Sequence, residues 1–288
     1  MTFALARLGE AGHERPFAIV DGVASSIESL TDDVDGAFLD SGGVERVRAA
    51  LADGRLPVAG PVDSLGLRYG APVARPIKVV CVGLNYRDHA EETHAAVPVE
   101  PILFMKDPST VIGPGDEVLV PRLSVKTDWE VELAFVIGHT ARYLSSDAEA
   151  LACIAGYAVA NDVSEREFQI ERGGQWDKGK SCETFNPLGP WFVPASEVTD
   201  PQALALRLWV NGELKQDGNT ANMIFGVVEV VRYISQFMVL RPGDVINTGT
   251  PAGVAHGQPE PKPFLRAGDV IELEIDGLGR QRQVLGQA

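Results

Sequence analysis

Hydrophobic and polar positions along the chain divide into two textures. From Ile77 onward, short β-branched and aromatic runs dominate. Several of them begin behind a Gly-Asp turn pair, at Gly115-Asp116, Gly243-Asp244 and Gly268-Asp269, which is a strand-start signal. The strongest run is Thr127–Ile137. In a strand it places Trp129, Val131 and Leu133 on one face and Glu130 and Glu132 together on the other, with Cα atoms about 6.6 Å apart. Helices interrupt the strands. Ser146 with Glu149 predicts a capping box opening a helix to about Ile154, and Ser164 with Glu167 predicts another. The longest predicted helix runs from Met223 to Met238, with Ile224, Val227, Val228, Val231 and Ser235 along one stripe.

Before Ile77 the chain is richer in Gly, Asp and Pro. Phe17–Val20 reads as a strand closed by Asp21-Gly22, and Gly43–Ala52 reads as a helix with Val44, Val47 and Leu51 on one face, stopped by Asp53-Gly54. Pro57, Pro61, Pro72 and Pro76 mark a connector. The pattern predicts a sheet-dominated α+β chain, with a small N-terminal domain or arm over residues 1–73 and a larger domain over 74–288. The strands do not alternate regularly with helices, which disfavours a doubly wound nucleotide-binding fold.

Composition narrows the partners. With 288 residues and a formal net charge of −15, the chain is suited neither to nucleic acid nor to an anionic membrane surface. An anionic small substrate needs local positive charge. Cys81, Cys153 and Cys182 lie far apart in no paired spacing, so neither a zinc knuckle nor a disulfide framework is expected, and a reducing compartment fits best. The apolar patch at the start is too short for a signal peptide and no later run approaches membrane-span length, so a cytoplasmic protein is expected.

Glu130 and Glu132 are two anions on one strand face. As a bare spacing they fit an outward polar face more often than a metal site, because surface carboxylates are common. Asp162 ends another apolar strand where a helix begins. It reads either as an Asp near a helix N-terminus or as a third oxygen ligand, and three carboxylates suit Mg²⁺ or Mn²⁺ better than zinc. His89 and Glu92 are one helical turn apart, the spacing at which a carboxylate orients an imidazole, although such pairs are usually surface pairs. Lys106, Ser109 and Thr110 fall in a predicted turn that serves equally as solvated loop or substrate contact. Arg166 and Gln169 share a helical face. The glycine-rich stretch with Lys178 and Lys180 lacks P-loop spacing, so nucleotide binding is set aside. The Asn247–Val254 turn offers backbone N–H groups and hydroxyls, as a structural turn or as an anion nest.

Taken in order, these segments resemble the fumarylacetoacetate hydrolase family. The resemblance is carried by VGLNYRDHAEE (82–92), FMKDPST (104–110), DWEVEL (128–133), NDVSERE (161–167) with Gln169, KGKS (178–181), VNGE (210–213) and PGDVINTGTPAGV (242–254), and it runs from about Ile77 to Arg282. It implies a mixed β-sandwich roll in which Glu130, Glu132 and Asp162 bind Mg²⁺ or Mn²⁺. His89 and Glu92 are then a water-activating dyad on a lid, and Lys180 lies beside a bound keto acid. Lys106, Ser109, Arg166, Gln169 and Thr250 become substrate contacts, and a homodimer is expected. The implied activity is hydrolysis of a 2,4-diketo acid to pyruvate. Within the family the chain looks most like bacterial hydrolases of 2,4-diketo-3-deoxy sugar acids of the rhamnonate and fuconate type. Oxaloacetate decarboxylation, keto-deoxy acid dehydration or isomerisation, and non-catalytic binding of a metal and a keto acid are the alternative uses of such a scaffold.

Overall fold

The Val131–Ile137 strand is buried along its whole length and packs on both faces. It lies inside a six-stranded mixed sheet with strand order Val193–Pro194, Ile154–Asn161, Val131–Ile137, Val245–Asn247, Val79–Gly83, Ile102–Lys106, in a computed structural model that describes residues 3–288. The period of two divides this strand between two cores. Val131, Leu133, Phe135 and Ile137 enter one apolar cluster, while Ala134 and Val136 enter another.

The first cluster lies between this sheet and a five-stranded sheet of order Glu213–Asn219, Ala205–Val210, Val270–Ile275, Gly279–Gln287, Val118–Val120. Leu206 and Leu208 alternate inward, as do Ile271, Leu273 and Ile275, whereas Glu272 and Glu274 point outward to Arg280. The second cluster joins the opposite face of the six-stranded sheet to the N-terminal unit. That unit is a four-stranded antiparallel sheet built from Ala4–Leu8, Arg15–Val20, Val23–Ser26 and Val58–Pro61, with helices Gly36–Asp40 and Gly43–Ala52. Ile27, Phe38, Leu39 and Val47 pack with Val79, Cys81, Val136 and Val245. Residues 3–73 are therefore folded against the main sheet, and Leu5 exchanges backbone hydrogen bonds with Phe192 across the junction.

The local expectations are met where the chain alone sets the conformation. All three Gly-Asp pairs precede strands, at Val118, Val245 and Val270. Each Asp side chain accepts from the N–H three residues earlier, those of Gly113, Arg241 and Arg266, at 2.7 Å in every case. The Gly43–Ala52 helix and the Ser146–Glu149 capping box also form.

Two helix expectations fail for tertiary reasons. The helix expected over Met223–Met238 spans only Val227–Ile234, because Asn85 claims the preceding backbone: Ile224 N–H donates to Asn85 O, and Phe225 N–H to Asn85 Oδ1. No capping box forms at Ser164. Its hydroxyl donates to Asp162 O, Ser164–Glu165 pairs as a short strand with Thr127–Asp128, and a π-helical turn follows at Glu167–Glu171.

Candidate active site

The second face of the Val131–Ile137 strand changes character at its N-terminal end. Toward the middle of the sheet it carries Ala134 and Val136, and at the end it carries Glu132 and then Glu130. Cross-strand register adds the third carboxylate. Ala160 lies opposite Glu132, and the Asp162 N–H donates to Glu130 O at 2.9 Å, which sets Asp162 beside Glu130 on the same face. Glu130, Glu132 and Asp162 are all buried, and each offers an oxygen lying within 4.8 Å of those of the other two.

Buried carboxylates are tolerated only with compensation. Lys180, from the short Asp177–Lys180 helix, places Nζ 2.6 Å from Glu130 Oε2 and 2.9 Å from Asp162 Oδ2. Lys106, at the end of its strand, pairs with Asp162 Oδ1 and donates to Val163 O at 3.1 Å. Arg166 bridges Asp128 Oδ2 (2.8 Å) and Glu130 Oε1 (2.7 Å), and its Nη1 donates to Gln169 Oε1 at 3.0 Å. Glu132 accepts the Gly249 N–H at 2.8 Å, and no lysine, arginine or histidine pairs with it among the described residues.

The ionisation equilibria follow from this arrangement. Burial opposes the Glu130 charge, but Lys180 and Arg166 outweigh it and hold the carboxyl down at about 2. For Glu132, burial and then the Asp162 and Glu130 charges act together to push it well above the usual carboxylate range. Burial also opposes the charge on Lys180, and Asp162 and Glu130 more than restore it, so its pKa is raised.

A cavity of about 70 Å³ opens beside this cluster. On its polar side stand His89, Glu130, Glu132, Arg166, Gln169 and Lys180, joined by Gly249 and Thr250. His89 comes from the Arg87–Glu92 helix, and its Nδ1 lies 3.2 Å from Glu92 Oε2. Glu92 is anchored in turn by the Gly253 N–H at 2.9 Å. The imidazole therefore faces the cavity with its orientation set by a carboxylate, the geometry of a general base and its orienter. The Thr250 hydroxyl donates to Val131 O (2.9 Å) and accepts from Gln216 (2.8 Å).

Residues from Val82 to Thr250, 168 positions apart in sequence, thus meet at one cavity. Two of the expected contacts sit elsewhere. Lys106 is not in a turn facing substrate; it is fully buried behind Asp162. Ser109 is exposed on a 3₁₀ turn, its N–H on Asp107 Oδ1, and does not line the cavity. Asp128 was missed, although it continues the same strand period two residues before Glu130. It holds Arg166 and accepts from the Ala255 and His256 N–H groups at 2.8 and 2.9 Å. Phe104 and Trp176 were also missed as part of the site; no short spacing connects them to it.

Three buried oxygen donors, one of them with no cationic partner, suit a hard divalent ion. Such an ion brings the positive charge that Glu132 lacks, and carboxylate oxygens favour Mg²⁺ or Mn²⁺.

A sandwich of two sheets with a buried carboxylate triad at the ends of two neighbouring strands defines a class, and the comparisons agree with it. Residues 78–285 match the profile described as "Fumarylacetoacetate (FAA) hydrolase C-terminal", and the chain belongs to that family. A Burkholderia ambifaria protein named "Putative hydrolase" is 48% identical over 280 residues, 97% of each chain. Among solved structures, a fumarylacetoacetate hydrolase of the psychrophilic Exiguobacterium antarcticum superposes with a TM-score of 0.84 at 33% identity, covering 100% of both chains. A 5-carboxymethyl-2-hydroxymuconate delta-isomerase of Mycobacterium smegmatis superposes with a TM-score of 0.75 at 31% identity over 99% of each. No helix among the described residues is long and apolar enough to cross a membrane.

Proposed function

We propose that this protein is a metal-dependent hydrolase that cleaves the C–C bond of a 2,4-diketo acid and releases pyruvate. The observation that carries the reading is the meeting at one cavity of Glu130, Glu132, Lys180 and His89, with Asp162 completing the carboxylate triad and Glu92 holding the imidazole from behind. A binding module needs the first of these but has no use for an oriented general base.

The three carboxylates would hold Mg²⁺ or Mn²⁺, which supplies Lewis-acid polarisation of the substrate's 2-oxo group. The chain's own groups account for the rest. Cations at the polar end of the cavity receive the substrate carboxylate, with Gln169 as a neutral donor. His89 takes a proton from a water molecule as the water oxygen bonds to the distal carbonyl carbon, and Glu92 steadies the imidazolium that results. Scission of the bond between C3 and C4 leaves a carboxylic acid and the three-carbon fragment, with Lys180 hydrogen-bonding its oxygen as negative charge develops there. Return of a proton to C3 completes pyruvate.

The test is loss of enol absorbance from a panel of acylpyruvates, fumarylpyruvate, oxaloacetate and diketo-deoxy sugar acids, with Mg²⁺ and with EDTA. Mg²⁺-dependent turnover of at least one diketo acid, with pyruvate formed stoichiometrically, is expected. No turnover across the panel despite measurable Mg²⁺ binding would refute it. A second reading, isomerisation of a hydroxy-dienoate acid, is favoured by the likeness to the mycobacterial isomerase; it predicts a change in spectrum with no pyruvate released.

A further inference from the structure

The cavity is polar on one side only. Its other side is made by Val82, Gly83 and Leu84 at the end of one strand, by Phe104 from the neighbouring strand, and by Trp176 at the start of the Asp177–Lys180 helix. Trp176 is in contact with both Gly83 and Phe104. The Trp176 ring lies over Gly83 so closely that a Cβ there would come within 2.4 Å of it, so glycine is what admits the indole. Phe104 meets the same indole edge-on, with centroids 5.4 Å apart at 62°. Lys180 Nζ stands 5.0 Å from the Phe104 centroid, so the apolar wall starts directly beside the charged cluster.

The polar side is largely committed. Arg166 is engaged by Asp128, Glu130 and Gln169, and the Thr250 hydroxyl by Val131 O and Gln216. Outside the carboxylate–lysine cluster and the His89–Glu92 pair, the lining side chains offer Arg166 Nη2, which makes an ion pair with Glu130 but no well-aligned hydrogen bond, together with Gln169 Nε2 and Trp176 Nε1: three donors and no acceptor among the described residues. A polyol tail needs acceptors as well as donors at the wall, and a second carboxylate needs a cation beyond Arg166, which the substrate's own carboxylate takes. Neither is there. The volume of about 70 Å³ has room for roughly five to seven waters at about 10–15 Å³ each, so the part of a substrate enclosed beside the charged cluster is small.

We infer that Gly83, Phe104 and Trp176 form the acyl subsite, and that Trp176, closing over Gly83, restricts it to a short hydrocarbon substituent on the distal carbonyl. This rests on the diketo-acid reading above and gives that substrate its distal group. It also departs from the sugar-acid assignment that the sequence resemblance suggests.

The test compares kcat/KM for acetyl-, butanoyl- and hexanoylpyruvate and for a diketo-deoxy sugar acid of matched length, in the Mg²⁺-loaded wild type and in Trp176→Leu and Trp176→Phe. In the wild type, acetylpyruvate should exceed hexanoylpyruvate by roughly tenfold or more, with the sugar acid below the alkyl chain of equal length. Trp176→Leu should raise the hexanoyl-to-acetyl ratio by roughly tenfold, and Trp176→Phe by less. An unchanged ratio in a folded variant, or a wild type that prefers the sugar acid, overturns the proposal.

If the wild type turns over no diketo acid, it is the hydrolase reading that fails. The wall is then tested separately by calorimetric binding of pyruvate, 2-oxobutanoate and 2-oxooctanoate to the Mg²⁺-loaded protein. Tighter binding of the two short acids supports the wall, and tighter binding of 2-oxooctanoate sinks it.

Discussion

Replacing Glu132 by Gln separates a metal ligand from a structural carboxylate. Glu132 is 2% exposed, accepts one backbone N–H from Gly249, and is the member of the triad without a cationic partner. Burial and its two anionic neighbours push its carboxyl well above the usual range, so the metal-free protein disfavours its ionised form. An amide of the same shape keeps an oxygen for Gly249 and can donate to neighbouring carboxylate oxygens. Metal-free Glu132→Gln is therefore expected to be at least as stable as the wild type.

The sign of the pH dependence follows from linkage. A carboxyl whose folded-state pKa is raised contributes its full stability below the unfolded value, near 4.5. It loses that stability as pH climbs toward the folded value, so the variant gains on the wild type as pH rises through this window. With Mg²⁺ at about 100 times its Kd the wild type gains about 2.7 kcal/mol. At about 2 °C per kcal/mol for a chain of this size, that is on the order of 5 °C in Tm. Glu132→Gln should lose most of that shift. Thermal unfolding followed by circular dichroism, with Mg²⁺ and with EDTA, reads both effects. A variant that keeps the full Mg²⁺ shift, or that loses more than about 2 kcal/mol without metal, refutes the ligand role.

Three further perturbations probe the other parts of the site. His89→Ala should lower diketo-acid hydrolysis by about 10²–10⁴-fold while sparing any oxaloacetate decarboxylation and leaving Mg²⁺ affinity intact; equal loss of both activities in a steady-state assay would argue against water activation. Gly257→Ala places a Cβ 2.4 Å from the Glu92 carboxyl carbon, so kcat should fall with Mg²⁺ affinity unchanged, read by kinetics beside calorimetry. Lys106→Met removes a fully buried partner of Asp162 and should cost about 3–5 kcal/mol in urea unfolding without metal. Saturating Mg²⁺ should recover part of that loss, and equal destabilisation with and without Mg²⁺ would place Asp162 outside the metal site.

Much of this site is visible in one dimension because it obeys local rules. A strand period of two puts Glu130 and Glu132 on a common face, and a helical turn puts Glu92 beside His89; both relations are fixed by backbone geometry within a few residues. The Gly-Asp strand starts and the Ser146 capping box are legible for the same reason, since their hydrogen bonds close within four residues. The period also carried Asp128, two residues before Glu130, but its partner Arg166 lies 38 positions away, so its part in the site could not be read.

What lies beyond reach of the sequence pattern is set by register and packing. Asp162 joins the triad because the antiparallel neighbour pairs Ala160 with Glu132, and a shift of one residue would turn it to the other face. Lys106 looks like a loop lysine and becomes a buried counter-ion because its strand ends behind Asp162. The apolar stripe of Met223–Met238 favours a helix throughout, yet Asn85, about 140 positions earlier, takes the first amides and holds them extended. Side-chain periodicity thus determined which groups share a face. Only the tertiary structure decided which faces meet, because strand register and long-range hydrogen bonds depend on partners that local spacing does not encode.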